Sequence, residues 1–190
     1  PKPYIIYNGV QAWEYKDLLP DDCFDVNPFD IEIENDADGR LAYDRLIDRL
    51  SRIKSTLALF DDSGSLWDLF CENTTIIIND PNNPTESVNN FLRFLNSCKI
   101  TLFLDEAYAE SVKIEDTTMP KWRTISRYIM NNINAQSRIK AISSLSTTKN
   151  LAATGERLGA IALTPQAADF AKYARSCNSA AHGNNNSLLM

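Results

Sequence analysis

The sequence predicts an α/β fold in which a mostly parallel β-sheet is flanked by helices. Short runs of β-branched and aliphatic residues alternate along the chain with longer segments whose apolar residues recur at helical spacing. One of the short runs, Lys99 to Leu104, is apolar on both faces, which is typical of a central strand in a parallel sheet. No internal repeat or low-complexity linker divides the sequence. Strands and helices therefore follow one another through a single domain.

The first part of the chain predicts two strands and one long helix. Tyr4 to Tyr7 has the composition of a strand, and the turn dipeptide Asn8-Gly9 ends it. In Asp30 to Glu34, isoleucines alternate with acidic residues, which indicates a half-exposed strand or an extended edge segment. From Gly39 the spacing changes to that of an amphipathic helix. The apolar face of this helix consists of Tyr43, Leu46, Ile47, Leu50, Ile53 and Leu57.

A strand and a helix are predicted before the central strand. Thr74 to Asn79 is a strand of mostly β-branched residues, and the turn-rich segment Asp80 to Pro84 follows it. Thr85 is a suitable N-cap for the next helix, because its hydroxyl can accept a hydrogen bond from a free backbone amide. The apolar positions of that helix are Val88, Phe91, Leu92 and Leu95.

The last part of the chain predicts a helix, two strands and the beginning of a further helix. Arg138 to Leu145 and Leu158 to Leu163 are the strands, and a polar loop that contains Lys149 separates them. Thr164-Pro165 opens the last helix, since proline fits the first helical turn. The helix that precedes both strands has its apolar residues at Trp122, Ile125, Tyr128, Ile129 and Ile133.

Composition excludes several classes of function. The 190 residues carry 19 basic and 25 acidic side chains, so an acidic chain of net charge −6 is not expected to bind nucleic acid. The apolar runs are too short to cross a bilayer, and no amino-terminal segment has the pattern of a secretion signal, so we expect none. The four cysteines are widely separated and His182 is the single histidine, so we expect no metal site. A reducing, cytoplasmic location is the simplest interpretation.

The two ends of the sequence indicate a piece of a longer protein. The chain opens at Pro1 without an initiating methionine and runs directly into the apolar segment Tyr4 to Tyr7. It ends at the apolar segment Leu188 to Met190. We therefore expect the fold to be incomplete at both ends.

Polar segments follow the predicted strands, at the edge where open α/β sheets gather functional groups. Asp80 to Glu86 follows the first of these strands, and Asp105 to Tyr108 follows the central strand. Ser146 to Lys149 follows the next strand, and Gly155 to Gly159 comes shortly after the lysine. Each segment alone is a weak signal, because turns, helix caps and solvated loop lysines are common.

Together and in this order, the four segments resemble the class I/II aminotransferases, which are fold type I enzymes that use pyridoxal 5′-phosphate. The NPxNPTG turn of that family corresponds to Asp80 to Glu86, and its DEAY motif is intact at Asp105 to Tyr108. Its SxxK motif is Ser146 to Lys149, and Arg157 in GERLG stands at the spacing of the aspartate aminotransferase-like pattern. The resemblance is strong over Thr74 to Leu163 and loose in the flanking segments.

The resemblance implies that residues 1–190 are part of the cofactor-binding large domain. The first phosphate-binding loop and the small C-terminal domain of the family are not visible in the sequence. The implied activity is transfer of an amino group between an amino acid and a 2-oxo acid, with pyridoxal 5′-phosphate as cofactor. The full-length protein would be a homodimeric enzyme that acts in amino acid metabolism.

The resemblance also assigns the reacting groups. Lys149 would form the Schiff base with the cofactor and, once freed by the substrate, would move a proton between the substrate α-carbon and the cofactor. Asp105 would face the pyridine nitrogen and keep it protonated, so that the ring remains an electron sink.

Four further residues would hold the cofactor in place. Asn83 and Tyr108 would donate hydrogen bonds to the ring hydroxyl oxygen. Ser146 and Arg157 would bind the phosphate, because a guanidinium offers a charged fork that suits this oxyanion.

Other interpretations of these residues stay open. Asn83 also suits a turn between two prolines, Asp105 could cap a helix, and Arg157 could form a surface ion pair. Glu86 stands where the family has glycine, which puts substrate selection in doubt. A lyase, decarboxylase or synthase of the same fold would use the same lysine and aspartate. A non-catalytic fragment or degenerate domain is the third alternative.

Overall fold

The structure is a computed structural model, and it describes residues 4–7, 25–26, 42–79, 86–106, 126, 129, 137–146 and 159–172. Within these described residues, six strands form one sheet in the order β2-β1-β3-β4-β5-β6. Their bounds are β1 Tyr4–Tyr7, β2 Asp25–Val26, β3 Thr74–Asn79, β4 Thr101–Asp105, β5 Lys140–Ser146 and β6 Gly159–Leu163.

The sheet is parallel except at one edge. β1 to β5 all pair in parallel, whereas β6 runs antiparallel to β5. This arrangement confirms the predicted α/β class with a mostly parallel sheet. β1 and β3 agree with the predicted strands at both ends. β4 and β5 each begin two residues and end one residue later than predicted, and β6 begins one residue later. The two-residue strand β2 is not predicted by the sequence.

Within the described residues, three continuous helices lie between the strands. They are α1 Tyr43–Ala58, α2 Ser65–Glu72 and α3 Glu86–Asn96. α1 packs against α3, and the Tyr43 and Phe91 rings stack with their centroids 5.0 Å apart. Tyr43, Leu46 and Leu50 are buried on the predicted apolar face of α1, as are Val88 and Phe91 on that of α3. Both helices therefore confirm the spacing of apolar residues in the sequence.

The core lies on one face of the sheet. Because side chains alternate along a strand, Ile76 and Ile78 of β3 share this face with Leu102 and Leu104 of β4. All four are almost completely buried, and they form one cluster with the apolar residues of α1 and α3. We call this the covered face, and its reverse the opposite face.

Helix α2 is a feature that the sequence analysis does not predict. It is only eight residues long and is preceded by Gly64, whose φ of 78° is in the left-handed region that favours glycine. The Asp61 carboxylate accepts hydrogen bonds from the Leu66 amide at 2.9 Å and from the Ser65 hydroxyl at 2.7 Å. Asp61 thus satisfies a backbone amide at the beginning of the helix, although it is not the residue next to it.

Several predicted elements fall partly or wholly outside the described residues. The strand at Asp30 to Glu34, the turn at Asp80 to Pro84 and the cap at Thr85 lie outside them. Of the helix predicted around Ile129, residues 126 and 129 are described, and both are helical. Thr164 precedes a 3-10 turn, Pro165–Ala167, which continues as helix through residue 172. None of the helices within the described ranges is long and apolar enough to cross a membrane.

Candidate functional site

Three neighbouring parallel strands bring their carboxyl ends to the same edge of the sheet. Asn79, the last residue of β3, pairs with Asp105, the last residue of β4. Asp105 also pairs with Ser144 of β5, and this strand continues to Ser146. The carboxyl edge of a parallel sheet is where ligands bind in open α/β folds, and β4 lies inside the sheet. We call this edge, from Asn79 through Asp105 to Ser146, the carboxyl edge.

Asp105 is the predicted site residue whose side chain the structure describes. Its carboxylate is half-buried at the end of β4, on the opposite face of the sheet. Ser146 ends β5 as predicted, but only its backbone is described. Asn83, Tyr108, Lys149 and Arg157 lie outside the described residues. Their roles therefore stay predictions.

The strand register nevertheless brings the chain segments next to these residues together. The segment with Tyr108 continues from the end of β4, and the segment with Lys149 continues from the end of β5. Ser146 pairs with Gly159, which begins β6 just after Arg157 in the sequence. All four motif segments thus adjoin the carboxyl edge.

Glu106, which follows Asp105, is a buried carboxylate that the sequence analysis misses. Its side chain is only 1% exposed. One carboxylate oxygen accepts hydrogen bonds from the hydroxyls of Ser126 and Ser143, each at 2.7 Å. The other oxygen accepts from the backbone amide of Ser126 at 3.2 Å. The donors meet the usual requirement that a buried charge be hydrogen-bonded.

Two adjacent acidic residues therefore have opposite environments. Glu106 contacts Ser143, which pairs with Leu104, so its side chain lies on the covered face. Asp105 pairs with Ser144 and lies on the opposite face. The sequence contains no local signal for this role of Glu106, because its partners Ser126 and Ser143 are 20 and 37 residues away.

Cavities in the described part of the chain lie away from Asp105. A cavity of about 180 Å³ opens on the covered face between Leu104, Ile129 and Leu163. A larger one, of about 430 Å³, lies on the opposite face between Thr75, Phe103 and Ile142. Neither is lined by Asp105. The candidate site is therefore defined by the carboxyl edge and not by a cavity.

Comparison with known proteins now assigns the family. A model of the family described as "Aminotransferase class I and II" matches residues 26–185. The chain belongs to this family. The match covers the whole carboxyl edge and all four motif segments, and it confirms the resemblance that the motifs predict. A search of curated protein sequences gave no match.

Solved structures of the family share the fold of this aminotransferase-family chain. Aromatic-amino-acid aminotransferase from Burkholderia pseudomallei, covalently bound to pyridoxal phosphate, matches with a TM-score of 0.62 and 14% identity over 98% of this chain. Aspartate aminotransferase from Thermus thermophilus with maleate matches with a TM-score of 0.58 and 16% identity over 95% of it. Cystalysin from Treponema denticola, which contains a pyridoxal 5′-phosphate cofactor, matches with a TM-score of 0.54 and 13% identity over 94% of it.

The chain spans much less than the whole of these proteins. It covers 43% of the Burkholderia chain, 39% of the Thermus chain and 40% of cystalysin. At these identities the likeness shows the fold, and the family model shows the family.

Proposed function

We propose that the protein is a pyridoxal 5′-phosphate-dependent aminotransferase, which transfers an amino group between an amino acid and a 2-oxo acid. The observation that carries the proposal is the position of Asp105. It is a half-buried carboxylate at the carboxyl end of an interior parallel strand, and it begins the intact sequence Asp105 to Tyr108. Membership of the class I and II family supports the same reaction.

The carboxylate at the carboxyl edge is chemically suited to this cofactor. A carboxylate in a partly buried position forms a strong, charge-assisted hydrogen bond with a protonated ring nitrogen. Asp105 supplies that group from the end of a strand that pairs with β3 on one side and with β5 on the other. A rigid strand end is a suitable support for a group that must keep one orientation.

The other residues take the roles that their chemistry allows. Lys149 is the amine that attaches the cofactor and that moves a proton at the substrate α-carbon. Asn83 and Tyr108 orient the ring through its hydroxyl oxygen, and Ser146 and Arg157 bind the phosphate. When bound, the cofactor supplies the electron sink for the carbanion.

The proposal extends to the organisation of the protein. Residues 1–190 would be part of the cofactor-binding large domain, and the full-length protein would be a cytoplasmic homodimer. The chain's coverage of 39–43% of the three solved chains supports its assignment to one part of such an enzyme.

The first experiment tests attachment of the cofactor. The full-length protein is mixed with pyridoxal 5′-phosphate, reduced with borohydride, digested and analysed by mass spectrometry. We expect the label on Lys149 and its loss in Lys149→Ala. Lys140→Ala is the matched control, because Lys140 is an exposed lysine at the beginning of β5, far from the carboxyl edge. A protein that carries no label at Lys149 would refute the proposal.

The second experiment tests the type of reaction. Amino acids are supplied first, and the spectrum is followed for conversion of the cofactor to its amine form. Several 2-oxo acids are then added to restore the original spectrum. We expect this two-stage cycle. Release of ammonia or carbon dioxide without the cycle would instead indicate a lyase or decarboxylase.

A further inference from the structure

Glu106 is a buried carboxylate to which the proposed function gives no role. It follows Asp105 directly, yet it reaches the covered face, where its side chain is 1% exposed. A buried carboxylate is costly unless it is hydrogen-bonded, so the groups that donate to Glu106 are the first observation to consider.

The Glu106 side chain joins three separate segments of the chain. Its carboxylate accepts from the hydroxyl and the backbone amide of Ser126, at 2.7 and 3.2 Å. It also accepts from the hydroxyl of Ser143 in β5, at 2.7 Å. The end of β4 is thereby tied both to the neighbouring strand and to a helical segment beyond the site.

The backbone of Glu106 continues the pairing of β4 with β5. Its amide donates a hydrogen bond to the carbonyl oxygen of Ser144 at 3.0 Å. Asp105 pairs with the same Ser144 in the strand register. The residue that follows Asp105 is therefore fixed twice, once through its backbone and once through its side chain.

We propose that Glu106 is a positioning residue that holds the Asp105 carboxylate in the orientation required by the cofactor. Asp105 and Glu106 share a peptide unit, so anchoring Glu106 on the covered face fixes the direction of Asp105 on the opposite face. This inference rests on the proposed function, in which Asp105 faces the pyridine nitrogen. Glu106 itself does not contact the cofactor.

The length and shape of the side chain matter more than its charge for this role. Glutamine can place its carbonyl oxygen against the Ser126 amide, and its NH₂ group against the hydroxyls of Ser126 and Ser143, which can also accept hydrogen bonds. Alanine removes every one of these contacts. Glu106→Gln should therefore retain the anchor that Glu106→Ala loses.

The test is a double-mutant cycle in the full-length protein. The variants are Glu106→Ala, Glu106→Gln, Asp105→Asn and the combination of Glu106→Ala with Asp105→Asn. Each is prepared without cofactor and titrated with pyridoxal 5′-phosphate, and the visible absorbance gives the dissociation constant. The pH dependence of that absorbance is recorded for each loaded variant. The melting temperature without cofactor is measured separately, because it reports the structural contribution alone.

A positioning role predicts strong coupling between the two acids. Because a small displacement of a positioned group has a large effect, we expect Glu106→Ala to weaken cofactor binding roughly tenfold or more. In the Asp105→Asn background, Glu106→Ala should weaken cofactor binding by less than about twofold, because the residue through which Glu106 acts is already altered. Glu106→Ala should shift the pH dependence of the absorbance in the same direction as Asp105→Asn, and Glu106→Gln should stay close to the unmodified protein.

Two results would overturn the inference. Equal weakening by Glu106→Ala in both backgrounds would show that Glu106 only stabilises the fold. If Asp105→Asn left the affinity for pyridoxal 5′-phosphate and the visible spectrum unchanged, Asp105 would not contact the cofactor. Glu106 could then not act by positioning it. In the second case, borohydride labelling of Lys149 decides independently whether the proposed function fails as well.

A milder variant keeps the test decisive if Glu106→Ala does not fold. Ser143→Ala removes one donor to the carboxylate and leaves both contacts with Ser126. We expect it to weaken cofactor binding about threefold with Asp105 present and to have no effect in the Asp105→Asn background. The same factor in both backgrounds would overturn the positioning role.

Discussion

Thr164 connects β5 to the segment that follows β6, and replacing it with valine should weaken the sheet. The residue is 7% exposed. Its hydroxyl accepts a hydrogen bond from the amide of Ala141 at 2.9 Å and donates one to the carbonyl oxygen of Ile139 at 2.8 Å. The Thr164 amide also donates to the carbonyl oxygen of Ala141 at 3.0 Å. A side chain thus takes the place of a backbone acceptor at the end of this strand pair.

Thr164→Val preserves the branched shape and removes only the hydroxyl. The buried Ala141 amide then loses its acceptor, which costs about 1–3 kcal/mol, and the Ile139 carbonyl loses a donor, which costs about 1 kcal/mol more. We therefore expect the free energy of unfolding to fall by roughly 2–4 kcal/mol.

Urea-induced unfolding of the cofactor-free protein measures this change. The matched control is Thr75→Val, because Thr75 is half-buried in β3 and its hydroxyl forms no hydrogen bond with the described part of the chain. Valine and threonine both suit strands, so the control should change the free energy by less than about 1 kcal/mol. If Thr164→Val cost no more than Thr75→Val, the Ala141 amide would have another acceptor and the reasoning would be wrong.

Two further predictions concern ionisable groups. Hydrogen bonds from Ser63 and Ser65 lower the pKa of Asp61 below its usual 3.8, so its stabilising effect is present above about pH 4 and is lost as the pH falls. Thermal melts from about pH 5 to pH 2 should therefore show a shallower loss of stability in Asp61→Asn than in the unmodified protein, and equal slopes would contradict this. Interaction with the Cys71 side chain lowers the pKa of the Cys98 thiol, whereas interaction with Cys98 and burial raise the pKa of the Cys71 thiol. Iodoacetamide at mildly alkaline pH should modify Cys98 first, as followed by mass spectrometry, and equal rates at the two thiols would refute the assignment.

The elements that the sequence predicts well are those whose signal is local. β3 is a run of β-branched residues bounded by polar ones, and its predicted and observed bounds agree. α1 repeats its apolar residues over sixteen positions, so its buried face is evident before any tertiary contact is known. α2 escapes prediction because it is short and because its capping residue, Asp61, lies outside the usual N-cap position.

The residues of the candidate site also differ in whether their sequence signal is local. Asp105 is predictable because a strand end and a motif coincide at one position. Glu106 is not, since its partners Ser126 and Ser143 are 20 and 37 residues away in the sequence. Local spacing contains no information about which distant hydroxyls a carboxylate will meet. The antiparallel direction of β6 cannot be predicted from local sequence either, because an apolar run of five residues fits a parallel or an antiparallel strand.

The contrast between Asp105 and Glu106 also explains why two acids can stand side by side at a strand end. Alternation of side chains sends them to different faces, so they do not compete for one environment. The half-buried Asp105 lies at the edge where ligands bind in open α/β folds, and the buried Glu106 accepts hydrogen bonds from Ser126 and Ser143 on the other face. Exchange of their roles would require the strand to shift by one residue, which would also turn the buried Leu104 away from the core. The core packing of β4 therefore decides which of the two acids faces the core and which lies on the opposite face.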